Sequence, residues 1–316
     1  MIMKRRIIQI RDSTQLVSLP REWCKAMNLK KGDEIDVNVQ DDAIILSKEF
    51  KPKASKAEID VSGSKEGVIL NILRELYEGG FDEIVVKFSS PKTTNKFNRR
   101  VDIIQTVEDF TTKMTGMEIV KKSNNMIFLK EVSLSNPEET DELINRMLWT
   151  LVDYMQEFQK AINENDVSEL SSTFVQYERI LNRQTNYCMR ILSKNRYKEL
   201  VKTSYLMQFV RNIEEIGDKI ADMSEEISAD NIPIKELKPV VKDLKDIITY
   251  FADIARSFRK EIVDKIYEIK VRVKYGIKTR NKKSYKLMCE LVDIVEESSY
   301  LLWVMHMHEL TSAQAS

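Results

Sequence analysis

Residues 211–221 read Arg-Asn-Ile-Glu-Glu-Ile-Gly-Asp-Lys-Ile-Ala, and this stretch places two carboxylates one helical turn apart. Glu214 and Asp218 are separated by four positions, so in a helix they project from the same face. Apolar residues with helical spacing surround the pair: Val210, Ile213, Ile216, Ile220 and Met223. The stretch therefore predicts an amphipathic helix whose two acids lie beside a buried stripe.

The same helical pattern continues from Pro137 almost to residue 310. Apolar residues recur there every three or four positions, and Ile232-Pro233 interrupts the pattern near its middle. Two successive three-helix repeats follow from this pattern, at about 137–230 and 234–310.

Acid pairs occur at matching points of the two repeats. The third helix of the second repeat offers Asp293 and Glu297, and the middle helix of the first offers Glu178 with Asn182. Carboxylate and amide oxygens are hard ligands, so we expect a divalent or ferric ion. Magnesium, manganese, iron and zinc stay open, although the absence of nearby Cys or His argues against a dedicated zinc site.

Chance gives an alternative explanation of these acid pairs. Charged residues make up 32% of the chain, so pairs at positions i and i+4 arise on almost any long helix. Like charges at that spacing are unfavourable by a few tenths of a kcal/mol. Repetition in both repeats favours the metal hypothesis over chance.

The beginning of the chain reads as short strands around one short helix. Arg6–Ile10 and Leu16–Leu19 are strand-like, Pro20 opens a helix, and Glu34–Val39 alternates before Ala43–Leu46 returns. So small a sheet cannot bury both of its faces alone. We therefore predict an obligate dimer, or a higher homo-oligomer, formed through this segment.

The segments Thr14–Trp23 and Met27–Ile35 resemble the AbrB/MazE (SpoVT-AbrB) swapped-hairpin domain. The resemblance implies an intertwined dimer that binds DNA through basic residues. The candidate contacts in this chain are Arg5, Arg6, Arg11, Arg21 and Lys25. A dimerisation device that has no affinity for DNA is the alternative.

Residues 57–133 predict a small α/β module that follows a polar connector at 50–60. Its helices are expected at Lys65–Tyr77 and Val101–Met114, with a strand at Glu83–Phe88 and a later hairpin. The module shows neither a glycine-rich phosphate loop nor a nucleophile with a base, so we assign it a spacer or ligand-sensing role.

Ile213–Ala221 is similar to the Glu-Arg-Ile-Gly-Asp signature of the PhoU family, whose tandem three-helix bundles bind metal clusters. The whole chain resembles archaeal PhoU-family phosphate uptake regulators with an N-terminal AbrB/MazE-like domain. The resemblance implies a multidomain α+β fold that is mainly α. Its parts are a swapped-hairpin β domain at 1–50, the α/β module at 57–133 and the tandem three-helix bundles at 137–310.

Composition narrows the functional class. Lys plus Arg equals Asp plus Glu at 50 each, so no net charge draws the whole molecule to DNA or membrane. The uncharged run Ser298–His308 is too short to cross a bilayer, and the three cysteines suit a reducing compartment. We therefore expect a cytoplasmic protein that is not an enzyme.

The expected function is regulation of phosphate uptake, through DNA binding and a bundle that senses metal or phosphate status. The alternative is an adaptor that does not bind DNA, and that docks on the ATPase of a phosphate ABC transporter or assembles into oligomers. A sensor protein is a further possible partner of either form.

Overall fold

The computed structural model describes residues 4–10, 14–40, 43–48, 55–133, 139–194, 200–229, 231–276 and 281–315. Within it the chain divides into two compact units, Met1–Lys53 and Ala54–Ser316. We call the first unit the head. The second contains an α/β module followed by the helical repeats.

The head contains two antiparallel hairpins and one short helix. Strands β1 (Ile8–Ile10) and β2 (Thr14–Leu16) form the first pair, and β3 (Asp36–Gln40) and β4 (Ala43–Ser47) form the second. Helix α1 (Arg21–Ala26) lies between them in sequence and begins after Pro20, whose extended backbone suits a helix start. The second predicted strand thus begins earlier, at Thr14, and ends at Leu16.

The α/β module has a four-stranded sheet in the order β5-β6-β10-β9, in which β5 and β6 are parallel and the other pairs antiparallel. Its elements are β5 (Lys56–Asp60), α2 (Glu66–Glu78), β6 (Glu83–Lys87), β7 (Lys92–Thr94), β8 (Arg100–Asp102), α3 (Ile103–Thr111), β9 (Met117–Ser123) and β10 (Met126–Glu131). Both helices present apolar faces to a core that includes Ile69, Leu73, Ile84, Val107 and Ile127.

Two features of the module differ from the sequence-based expectation. The prediction of a polar connector at 50–60 was wrong for its second half, because Lys56–Asp60 forms strand β5. Ala57 of this strand is buried and pairs with Ile84. The second helix starts at Ile103, since the Asp102 side chain accepts hydrogen bonds from the backbone of Ile104 and Gln105 and so caps the helix.

The remaining chain is helical. The long helices are α4 (Thr140–Glu164), α5 (Leu170–Lys194), α6 (Leu200–Ser228), α8 (Val241–Arg256), α9 (Lys260–Gly276) and α10 (Lys282–Ala315), and a single-turn helix, α7 (Ile234–Leu237), follows Pro233. One continuous apolar core runs through both sets of three helices. Among the described residues, no helix is long and apolar enough to cross a membrane.

Cations from α5 join the module to the helices. The Arg190 side chain is fully buried, and its Nη1 donates hydrogen bonds to the carbonyl oxygens of Tyr77 at 2.7 Å and Phe81 at 3.0 Å. Its Nε also donates to Glu131, at 3.2 Å. Lys194, one turn further along, pairs with Glu131 and with Asp82. We call this set of contacts the α5 junction.

Candidate functional site

The acid pair that the sequence indicated lies on α6 beside the core. Ile213, Ile216 and Ile220 are completely buried on that helix. The Glu214 side chain is only 15% exposed, whereas Asp218 lies on the exposed side of the helix. The two acids therefore border the apolar stripe, as their spacing predicts.

Gly217 lets helices α5 and α6 approach closely at this point. A Cβ atom on Gly217 would lie 2.3 Å from Cδ2 of Leu181, far inside van der Waals contact. Leu181 lies on α5 between Glu178 and Asn182 in sequence. The close approach brings Glu178 of α5 near Asp218 of α6.

A groove of about 390 Å³ follows the α6 acids. Its lining contains five carboxylates and one cation: Glu178, Glu215, Asp218, Asp222, Glu225 and Lys219, with Ala221. Lys219 is engaged by Glu290 at 3.0 Å. The groove therefore has a strong excess of negative charge, and oxygen is its dominant polar atom.

The electrostatics of the groove favour either a proton or a bound cation. Loss of water around the carboxylate, together with the like charges of Glu214, Glu178 and Asp222, raises the pKa of Asp218 to about 6. Asp218 is nonetheless exposed by surface area, so water can still reach it. Loss of water and neighbouring acids also raise the pKa of Glu178. Both shifts reflect negative charge that a cation would neutralise.

Glu214 already has a protein partner. Arg211, one turn before it, places Nη1 3.2 Å from the Glu214 carboxylate and also pairs with Glu78 at the end of α2. Glu78 is buried, and this burial raises its pKa to about 7 although Arg211 acts in the opposite direction. Arg211 thus joins a candidate ligand of the bundle to the α/β module.

Asn182 offers an oxygen atom that no group of the protein contacts by a hydrogen bond. Its side-chain carbonyl oxygen is buried and accepts no hydrogen bond, and such an atom is costly unless something pairs with it. Within the described ranges, no three His, Cys, Asp or Glu side chains are close enough to form a metal site. The donors present are oxygens, so in ligand type they fit a hard cation.

The second repeat arranges its acids differently. Asp293 lies 3.1 Å from Lys270 and also pairs with Lys274, both on α9. Burial alone would raise the pKa of Asp293, but these two lysines outweigh it and the pKa is lowered. Glu297 is exposed, and the buried acid beside it is Glu296, which pairs with Lys270. Lysines therefore neutralise acids here, and the first repeat keeps the excess of negative charge.

The predicted DNA contacts lie in the head. Arg5, Arg6, Arg21 and Lys25 are exposed, and the last two are one turn apart on α1. Arg11 lies outside the described residues.

Apolar side chains of the head are exposed to an unusual degree. None of its described side chains is buried. The exposed fractions are 57% for Ile8, 57% for Val37, 71% for Val39 and 65% for Ile44. The described part of the head thus has no buried core, and its apolar strand faces are open to solvent.

Sequence reasoning missed the α5 junction and the short hairpin β7–β8. Arg190 stands in an otherwise amphipathic helix, and only its position on the apolar side signals a buried role. The hairpin carries basic residues without apolar alternation, so strand patterning does not detect it.

The small β head with exposed apolar strands, the α/β module and the helical repeats, of which the first carries an acidic groove, define a multidomain α+β protein that is mainly α. Family models make the assignment more specific. The PhoU domain model matches residues 144–227, and the model of the MazE bacterial antitoxin, an antidote that recognises a toxin, matches residues 8–57. The chain thus carries a MazE-like segment and a PhoU domain, which confirms both resemblances. No curated protein and no solved structure matches the chain.

Proposed function

We propose that the chain is a regulator of phosphate uptake that binds DNA as a dimer through its head and responds through its helices to a hard metal ion or phosphate status. The two family matches support a regulator related to phosphate, and neither family is catalytic. The observation that carries the sensing part of the proposal is the acidic groove on α5 and α6, which lies inside the PhoU match.

Charge balance explains how the groove would respond. Without a cation, loss of water and the charges of three neighbouring acids raise the pKa of Asp218 to about 6. A bound cation offsets that repulsion, so the crowding that is unfavourable in the free protein becomes a source of affinity. Asp218 would supply oxygen ligands together with a neighbouring acid, Glu214 or Glu178, and water would complete the coordination.

Thermal melting with manganese, magnesium or EDTA tests this part of the proposal. Binding to the native state raises the melting temperature, and the variant with Glu214→Gln and Asp218→Asn should lose that increase. The matched control replaces the exposed α4 pair, with Asp153→Asn and Glu157→Gln, and should keep it. If elemental analysis finds no metal in the native protein and chelator does not change its melting temperature, the proposed metal site is refuted.

Binding of a labelled duplex by the full chain tests the head. Contacts to phosphates release counterions, so affinity should decrease steeply as salt is raised. Replacing Arg21 and Lys25 by glutamine should reduce both the affinity and its salt dependence. Unchanged binding by this variant would exclude α1 as a DNA contact.

A second candidate function, docking or assembly without DNA, is favoured by an exposed apolar face on the second repeat. Tyr267, Val271 and Tyr275 follow one another at one-turn spacing on α9 and are 52%, 36% and 83% exposed. On α10, Tyr300 and Val304 are also exposed. Loss of water raises the pKa of Tyr300, and Tyr267 lies near enough to add to this effect. This face fits a helical partner or another copy of the chain.

Sedimentation of the full chain separates the two candidates. An assembly larger than a dimer that disappears with Tyr267→Ser and Tyr300→Ser, in a protein that does not bind DNA, would favour the adaptor. A dimer that these substitutions leave unchanged would favour the DNA-binding regulator.

A further inference from the structure

The hairpin β7–β8 projects a basic and aromatic tip from the α/β module. Residues 89–101 contain Lys92, Lys96, Arg99 and Arg100 and no acid. Lys92 pairs with Asp102 at 2.9 Å, but the described ion pairs include none of the other three cations, all of which are exposed. Three positive charges are therefore available at one end of a narrow two-stranded ribbon.

The tip is held in one conformation by its own backbone. Asn95 accepts hydrogen bonds through its side chain from the backbone of Phe97 and of Arg99, each at 3.0 Å. The Asn95 backbone also donates to the carbonyl of Arg99, and Asn98 takes a left-handed conformation with φ of 57°. Such a turn presents its side chains in fixed positions.

Phe97 is the residue that this turn exposes. Its side chain is 68% exposed, between Lys96, with Nζ 5.2 Å from the ring centre, and Arg99, with Cζ 6.0 Å from it. A phenylalanine kept in water forgoes the stabilisation that burial would give. Its position between two cations suits a ligand with both an apolar surface and negative charge.

The base of the hairpin is anchored in the module. Thr93 donates a hydrogen bond to the carbonyl of Ser64, and the Ile103 backbone donates to the carbonyl of Pro91 at 2.9 Å. Helix α3 starts directly after β8, so the hairpin is continuous with the folded core. The tip can therefore contact a ligand while the module beneath it stays folded.

From this geometry we propose that the β7–β8 hairpin is a second DNA-binding element, distinct from the head. Lys96, Arg99 and Arg100 contact backbone phosphates, and Phe97 packs against sugars or a base step between them. A two-stranded β-ribbon fits the major groove of a duplex, and apolar side chains are used as wedges between base steps.

Nucleic acid fits this surface better than a membrane. One aromatic ring gives only a shallow anchor in a bilayer, and three basic residues add about 1 kcal/mol each at an anionic surface. A duplex instead offers phosphates on both sides of an apolar surface. The inference rests on the proposed function in one respect: a duplex bound by the head of the same chain meets the hairpin at a raised effective concentration.

Fluorescence anisotropy of the full chain with a labelled duplex of mixed sequence, measured across a salt series, tests the proposal. The hairpin variant carries Lys96→Gln, Arg99→Gln and Arg100→Gln. Loss of three phosphate contacts should weaken binding at least tenfold and reduce the slope of log affinity against log salt by about 2 to 3. Phe97→Ser should weaken binding roughly tenfold without changing that slope, since it removes no charge.

A matched control removes the same charge elsewhere in the same unit. The control variant carries Lys235→Gln, Lys238→Gln and Lys242→Gln, three exposed lysines near the start of α8. It should bind like the native chain. Equal losses in the hairpin and control variants would show an effect of net charge alone and would overturn the proposal.

A head variant, with Arg5, Arg6, Arg21 and Lys25 changed to glutamine, separates this inference from the proposed function. If only the head variant loses affinity, the head binds DNA and the hairpin inference is wrong. If only the hairpin variant loses affinity, the hairpin binds DNA and the head does not. Losses in both support both elements.

Two further probes identify a different partner for the tip. Vesicles of phosphatidylcholine with phosphatidylglycerol report a membrane surface, and polyglutamate reports an acidic peptide. Binding to either probe that depends on Lys96, Phe97 and Arg99, in a chain that does not bind the duplex, would overturn the proposal.

Discussion

Replacing Arg190 by methionine should destabilise the unit Ala54–Ser316 by about 3–5 kcal/mol, because the substitution breaks a buried ion pair and leaves the other partner behind. Methionine keeps the unbranched apolar stem of the side chain and its helix propensity, so the change mainly removes the guanidinium. The fully buried Arg190 has no water to replace the groups it contacts.

The contacts at the α5 junction give the magnitude. The substitution leaves the carbonyl of Phe81 without its donor, and an unpaired buried acceptor costs about 1–3 kcal/mol. The Tyr77 carbonyl loses the bond from Nη1 but still accepts one from the Gly80 backbone at 3.1 Å. Glu131 loses the Nε hydrogen bond and an ionic contact with Nη2 at 3.1 Å, which lacks hydrogen-bond geometry. Lys194 still pairs with Glu131 and limits that loss. The unpaired Phe81 carbonyl and the lost contacts to Glu131 therefore account together for most of the expected destabilisation.

Urea unfolding of the full chain, followed by circular dichroism, measures the change in the free energy of unfolding. In a separate thermal melt, the melting temperature should decrease by roughly 6 to 20 °C. The control is Arg272→Gln, which breaks an exposed pair with Asp243 and should cost less than about 1 kcal/mol. A destabilisation by the Arg190 variant no larger than that of the control would refute the reasoning.

Three further predictions concern the contact between module and helices and the acidic groove. Glu78 has a pKa of about 7 in the fold against 4.5 for the free side chain, so the folded state binds more protons between these values. Stability should therefore fall by up to about 3 kcal/mol as pH rises from 4.5 to 7, and Glu78→Gln should flatten that curve in urea titrations; an unchanged slope would contradict this. Gly217→Ala should destabilise the fold by about 1–2 kcal/mol, because crowding against Leu181 outweighs the gain in helix propensity. The double variant with Leu181→Ala should be destabilised by less than the sum of the two single variants. Additive changes in melting temperature would argue against the contact. Manganese affinity, measured by calorimetric titration, should decrease below pH 6, where Asp218 takes up a proton. The Asp218→Asn variant should bind manganese weakly at every pH. An affinity of the native chain that does not change with pH would count against a role for Asp218.

Long apolar patterns made the helical part of the fold predictable. The acid pair on α6 was placed correctly beside the core, because an uninterrupted 3.6-residue period determines which residues share a face. Gly217 gave a correct indication of close packing, since a glycine inside a helix lowers its propensity and usually has a steric reason. Both inferences depend only on neighbours within one or two turns.

Contacts between distant segments were not predictable from these patterns. Arg190 binds carbonyl oxygens 109 and 113 residues away, and backbone acceptors leave no trace in sequence. Strand β5 was missed because charged residues flank the short apolar side chain of Ala57 and obscure its alternation. The periodicity of a single sequence predicts which face of an element is buried, but it does not predict which other element covers that face.

The position of Arg211 makes two carboxylates depend on one counter-ion. It neutralises Glu78 of the module and Glu214 of the bundle, which are 136 positions apart in the chain. If a cation binds Glu214, as proposed, the Arg211 guanidinium would pair with Glu78 alone, and the attachment of the module would become stronger. By thermodynamic reciprocity, a module that is firmly attached improves cation affinity by the same factor. On the proposed function, this one arginine would therefore couple the attachment of the module to cation binding by the helices.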